Sequence, residues 1–107
     1  MKPNPQITTT FLDGSTRTAT ILESSIIGKG KYLPGWQWSK HAGPMTGKES
    51  ESHTGYIESG KMIIKSADGK ETKLKAGDAF EIGPGHDAWV DGEEPCIALD
   101  FEWKGKK

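Results

Sequence analysis

The sequence of 107 residues predicts an all-β fold closed into a small barrel, and three observations carry that reading. Short apolar or alternating runs recur along the chain, each followed by a turn signal, and no segment sustains a helical period. Fourteen glycines and six prolines supply the tight turns that many short strands need. Hydrophobic residues make up 33% of the chain, low for a globular protein, yet β-branched and aromatic residues recur throughout, so the composition is not that of a disordered segment.

Taken in order, Gln6–Leu12 reads as a strand stopped by Asp13-Gly14. Thr16–Leu22 follows, then Ile26-Ile27. Lys31–Trp38 is extended but interrupted by Pro34-Gly35, which suits a bend or an edge position. Ser39–Ser50 is polar, holds Gly43-Pro44 and Gly47, and reads as a loop. His53–Ser59 and Lys61–Ser66 form a hairpin about Gly60, and Asp68-Gly69 turns the chain into Glu71–Lys75. Gly77-Asp78 precedes the strand Ala79–Ile82, and Gly83-Pro84-Gly85 forces a corner before the short extended run His86–Val90. Asp91–Pro95 turns once more, and Cys96–Trp103 closes the sheet. The pattern amounts to about nine or ten strands. Closing such a sheet on itself removes its exposed edges. The expected organisation is one domain over residues 1–107, with 1–5 and 104–107 as flexible ends.

Composition excludes several partner classes. Fourteen basic and 15 acidic residues leave a net charge of −1, so no overall field steers the chain to nucleic acid. The basic ending Lys104-Gly105-Lys106-Lys107 reads as a solvated tail. Cys96 is the only cysteine, which rules out an internal disulfide, and its run Cys96-Ile97-Ala98-Leu99 marks it as a buried small hydrophobe. No run approaches the length of a membrane span, and the amino terminus lacks the apolar stretch of a signal peptide. A cytoplasmic protein with no membrane partner is the expectation.

Two stretches resemble the two motifs of the cupins. The first motif runs glycine, five residues, His-x-His, a short gap, glutamate, six residues, glycine; here Gly35 precedes His41 by five residues, and His53 precedes Gly60 by six. The second runs glycine, five residues, Pro-x-Gly, two residues, histidine; here Gly77 precedes Gly83-Pro84-Gly85. The resemblance extends from about Gly28 to Trp103. The stretches Pro34–Ser39, His53–Tyr56 and His86–Pro95 are similar to a group of small single-domain cupins. It implies a cupin-type β-barrel, a double-stranded β-helix or jelly roll, and association as a homodimer, with strand Gln6–Leu12 as the pairing element. The motif is degenerate: Gly43 stands at the second histidine, His53 at the glutamate and Ala88 at the last histidine.

Strand parity restores part of what the motif lost. His86 lies two positions before Ala88, so the two share a face. His41, His53 and His86, the only histidines, then converge as a candidate metal site. Three neutral imidazoles suit a divalent transition metal, Zn, Fe, Mn, Ni or Cu, with an open position for Lewis-acid chemistry. Glu49 or Glu51 can add a carboxylate. Trp36 and Trp38, two apart, share one strand face. The candidate ligand pocket comprises Trp38, Glu51, Tyr56, Trp89 and Asp100. Asp100 faces the lumen if Leu99, Phe101 and Trp103 pack outward, and there pairs with His86 as an acid–base pair or orienter. Three functions stay open: a metal-dependent oxygenase or isomerase of a small organic molecule, a metal-free small-molecule binding or sensing module, and a structural role.

Overall fold

The computed structural model describes residues 4–103. Nine strands form over them: β1 Gln6–Thr10, β2 Thr16–Ile21, β3 Ser25–Tyr32, β4 His53–Ser59, β5 Lys61–Lys65, β6 Glu71–Lys75, β7 Ala79–Ile82, β8 Asp87–Val90 and β9 Cys96–Trp103. Pairing is antiparallel throughout. Six strands make one sheet in the order β1-β2-β3-β9-β4-β7, and three make a second in the order β6-β5-β8. The expected barrel is therefore two hydrogen-bonded sheets in the jelly-roll manner, without closure into one ladder.

The core lies between the sheets. Ile57 and Cys96 from the large sheet are fully buried, against Met62, Ile64, Leu74, Ala88 and Val90 from the small one. Alternation is clean where both faces are defined: β8 buries Ala88 and Val90 and leaves Asp87 and Trp89 at the outside. The burial of Cys96 pushes its thiol up to about 11 from the ordinary 9.0, which keeps it unreactive at neutral pH.

Two corners depart from the sequence reading. The stretch expected as one interrupted strand over Lys31–Trp38 changes sheets. Tyr32 ends β3 against Cys96, Gly35 turns with φ +91, and Gln37 then pairs with Trp89 at the edge of the small sheet. The residues expected as a plain loop, Ser39–Ser50, are partly helical: Trp38–Ala42 makes a π-helical turn and Gly43–Thr46 (α1) a single α-turn. Pro44 stands in the first helical turn and Gly47, at φ +68, caps the end. Asp87 anchors this segment. Its carboxylate accepts from Gln37 Nε2 at 2.7 Å, from Ser39 N at 2.9 Å and from Ser39 Oγ at 2.8 Å. Partial burial opposes ionisation of Asp87, but these donors outweigh it and hold the carboxyl below its usual value. Of the ends expected to be loose, 1–5 and 104–107, residues 1–3 and 104–107 lie outside the described residues.

Candidate functional site

Between the sheets lies a cavity of about 320 Å³, within the size range of small-molecule sites. The large sheet supplies its polar wall. Pairing register places Gly28 of β3 and Gly55 of β4 on either side of Asp100 of β9. Neither glycine needs an unusual φ; both are short of room. A Cβ on Gly28 would collide with the Arg17 guanidinium, and one on Gly55 would stand 2.5 Å from both the Leu99 carbonyl oxygen and the Phe80 ring.

The space above Gly28 lets Arg17 reach from β2 across β3 to β9. Its Nε donates to Asp100 Oδ2 at 3.0 Å and its Nη2 to Oδ1 at 2.6 Å, a bidentate fork. Side-chain exposures of 27% and 15% place the pair inside the cavity rather than on the surface. The hydrogen bond to Asp100 raises the Arg17 pKa further, against the opposing effect of burial.

The two imidazoles sit at the corner where β4 begins and β8 approaches. The rings of His53 and His86 lie edge-on, with centroids 5.5 Å apart and planes at 80°. His86 is buried, and its Nδ1 lies 2.9 Å from the Gly83 carbonyl oxygen. A carbonyl only accepts, so Nδ1 carries a proton, and Nε2 is the nitrogen left with a lone pair in the neutral form of the ring. Ser50 completes this arrangement. Buried at 3% exposure, it donates from Oγ to the His86 carbonyl at 2.6 Å and lies 3.2 Å from Nδ1. Gly85 N donates to the Ser50 carbonyl at 2.9 Å, which ties the corner together. Burial lowers the pKa of His53. Asp100 favours its protonated form, His86 and Arg17 oppose it, and the net direction is down.

The expected site residues divide between cavity and surface. His53, His86, Trp38, Glu51 and Asp100 line the cavity. His41 does not; it sits in the π-helical turn, where its Nδ1 accepts from Gln37 N at 3.0 Å. Tyr56 is 40% exposed and points away, because His53, Gly55 and Ile57 occupy the inward positions of β4. Trp89 is likewise the outward neighbour of Ala88 and does not line the cavity. Trp36 and Trp38 both line it, although they share a turn and a helical segment rather than a strand face. Asp100 faces the lumen as the alternation of β9 suggests, but its partner is Arg17, not His86. Arg17 and Ser50 escaped the sequence reading altogether. Arg17 is embedded in the polar run Thr16–Thr20, and its one signal is a pair of glycines, Gly28 and Gly30, one strand away.

A transition metal, which this kind of site implies, finds two imidazoles here instead of three. Among the described residues, no three His, Cys, Asp or Glu side chains gather in positions to hold a metal ion. The donor set does not fit a protein-ligated metal centre of three or four ligands.

Among solved structures, the chain is similar to a sugar phosphate isomerase of a cupin superfamily from Silicibacter pomeroyi, with TM-score 0.70 at 12% identity over 98% of this chain and 76% of that one. It is similar to a protein of unknown function from Vibrio parahaemolyticus, with TM-score 0.69 at 13% identity over 92% and 97%. KdgF from a Halomonas species gives TM-score 0.64 at 19% identity over 89% and 83%. These likenesses concern the fold. No curated protein matches the chain in sequence. Residues 37–102, more than half of the chain, match the family described as Cupin domain. With the paired jelly-roll sheets and the cavity between them, that match makes the chain a member of the cupin family.

Proposed function

We propose that this cupin binds a small organic molecule in the cavity between its sheets and moves protons on it through His53 and His86. The observation that carries the reading is the state of the two imidazoles. His86 has its Nδ1 proton held by the Gly83 carbonyl, so its Nε2 lone pair is free to act as a base. His53, kept neutral by burial, is a second acceptor beside it. Imidazoles within reach of one ligand suit an isomerase-type step, in which one takes a proton from the ligand and, as the imidazolium so formed, returns it at a neighbouring atom. The sugar phosphate isomerase among the fold relatives is in keeping with that class of step. Arg17 and Asp100 form the fixed polar floor on which a ligand is oriented.

Metal-assisted chemistry is the second reading, and one observation favours it. A histidine whose Nδ1 proton is held by a carbonyl is also the arrangement of a metal-ligating histidine. Two imidazoles would leave most of the coordination sphere to the ligand or to Glu51 at the mouth.

One experiment separates these readings. EDTA-treated protein is screened by thermal shift against carbonyl compounds, polyols and amines, and binders are followed by NMR in deuterated water. The expected outcome is binding that survives EDTA, with deuterium incorporation that drops at least tenfold in both His53→Ala and His86→Ala. Stoichiometric metal by elemental analysis, lost in the same variants together with binding, would establish the metal reading instead. The absence of any binder from the panel would sink both.

A further inference from the structure

The cavity has an uneven charge. Among the described residues lining it, Arg17 is the only lysine or arginine, against three carboxylates, Asp100, Glu51 and Glu102. Arg17 is already gripped at two nitrogens by Asp100, and Glu102 adds to the negative field around it. His53 meets the same carboxylates: burial lowers its pKa most, with His86 and Arg17 acting the same way, while Asp100 and Glu51 pull toward its charged form. With Arg17 paired to Asp100, Glu51 and Glu102 are left as the unpaired charges among the described lining residues. A phosphate or carboxylate entering here would meet an Arg17 whose charge is already paired with Asp100, with two further carboxylates in the lining to repel it.

The apolar walls point the same way. Phe11, Tyr32, Trp36, Trp38 and Phe80 line the cavity. The Tyr32 and Trp36 rings lie 4.4 Å apart at 44°, with Phe11 5.9 Å from Trp36. Aromatic rings gathered beside carboxylates attract organic cations, because the ring faces are negative and add to the attraction of the carboxylates. Trp36 adds an independent observation. It is 4% exposed, and its indole Nε1 is buried with no hydrogen-bond partner. Buried donors are rarely left unmet, and a shift of the ring that turns this one to the cavity would let an oxygen on a bound molecule meet it.

We propose that the ligand is a small organic cation, an amine or quaternary ammonium compound that also carries a neutral oxygen. This rests on the reading of the cavity as a ligand site and narrows its substrate class. The ammonium group sits among the rings and carboxylates, and the oxygen accepts from Trp36. The proposal runs counter to a phosphorylated substrate, which would need free basic residues that the lining does not have.

The probes are choline, its uncharged isostere 3,3-dimethylbutan-1-ol, and inorganic phosphate. Binding to the full chain is read by calorimetry and by tryptophan fluorescence in amine-free buffer at low salt. Choline is expected to bind at least tenfold more tightly than the isostere, and phosphate not at all. The Glu51→Gln/Glu102→Gln double variant is expected to weaken choline several-fold and to leave the isostere unchanged. Salt should weaken choline alone. Trp36→Phe, which keeps the ring and removes the donor, is expected to weaken choline and isostere equally. Equal affinity for choline and isostere, or binding of phosphate, overturns the charge assignment and leaves the cavity standing as a ligand site. Failure of choline and of every ammonium ion from methylammonium to benzyltrimethylammonium overturns it as well. The uncharged members of the screening panel then show whether the cavity reading has failed with it.

Discussion

Gly28 illustrates how much a single missing side chain decides in this fold. Its backbone is ordinary β-strand, so alanine would meet no conformational penalty there; the obstacle is the Arg17 guanidinium lying directly over it. Gly28→Ala is therefore expected to push Arg17 off Asp100 and to cost about 1–3 kcal/mol, the usual range for overpacking, read as a lowered urea midpoint. In the Arg17→Met background the same substitution should cost much less, because the group it collides with is gone. Equal costs in the two backgrounds would show that the glycine serves something other than the ion pair. The other side of Asp100 in the same sheet works similarly, with Gly55 giving way to the Phe80 ring and the Leu99 carbonyl. The two histidines of the site were legible in the sequence for separate reasons. His53 stands at a motif position, and His86 follows from parity with Ala88. His41 also stands at a motif position, yet the chain turns helical there and takes it out of the cavity. Period-2 reasoning applies only where the backbone stays extended.

At the scale of elements, the segment Trp38–Thr46 depends on a residue from a strand far away in sequence. Asp87 opens β8, and its carboxylate holds Gln37 and Ser39 through three hydrogen bonds. A four-residue α-turn and a five-residue π-turn are too short to persist alone. Asp87→Ala is expected to cost about 1–3 kcal/mol through donors left unmet. Hydrogen exchange should speed up over residues 38–46 while β3, β4 and β9 keep their protection. Uniform loss of protection across the sheets would refute this anchoring role. Gly43-Pro44 and Gly47 read in the sequence as loop residues, because the Asp87 contact that holds the helical turns lies far away along the chain. Strand boundaries were more accessible. His53–Ser59, Ala79–Ile82 and Cys96–Trp103 follow directly from alternation and flanking glycines, because a strand with one face in the core displays its pattern locally.

For the molecule as a whole, the burial of His53 couples the site to stability. Its folded pKa lies below the ordinary 6.5, so the unfolded chain takes up this proton first as pH falls. Stability from this group is complete above pH 6.5 and is lost on acidification until pH reaches the lowered folded value, below which its contribution no longer changes. Metal-free protein is expected to show a urea midpoint that declines from pH 7 toward pH 5, with a shallower decline in His53→Asn. Equal slopes for the two proteins would show that His53 is not held neutral by the fold.

The family and the alternating strands were determined by the sequence alone, since hydrophobic period and turn chemistry are local properties of the chain. Inward positions for His53 and His86 were expected from motif and strand parity, whereas Asp100 was inward on one of two open readings and surface-exposed on the other. The tertiary structure decided what those positions meet. Arg17 and Asp100 are 83 positions apart and join only because β3 carries a glycine between their strands. His86 receives its tautomer from the Gly83 carbonyl and its packing from Ser50. Partnership across sheets depends on register and on space, and neither is written in the spacing of residues along one strand.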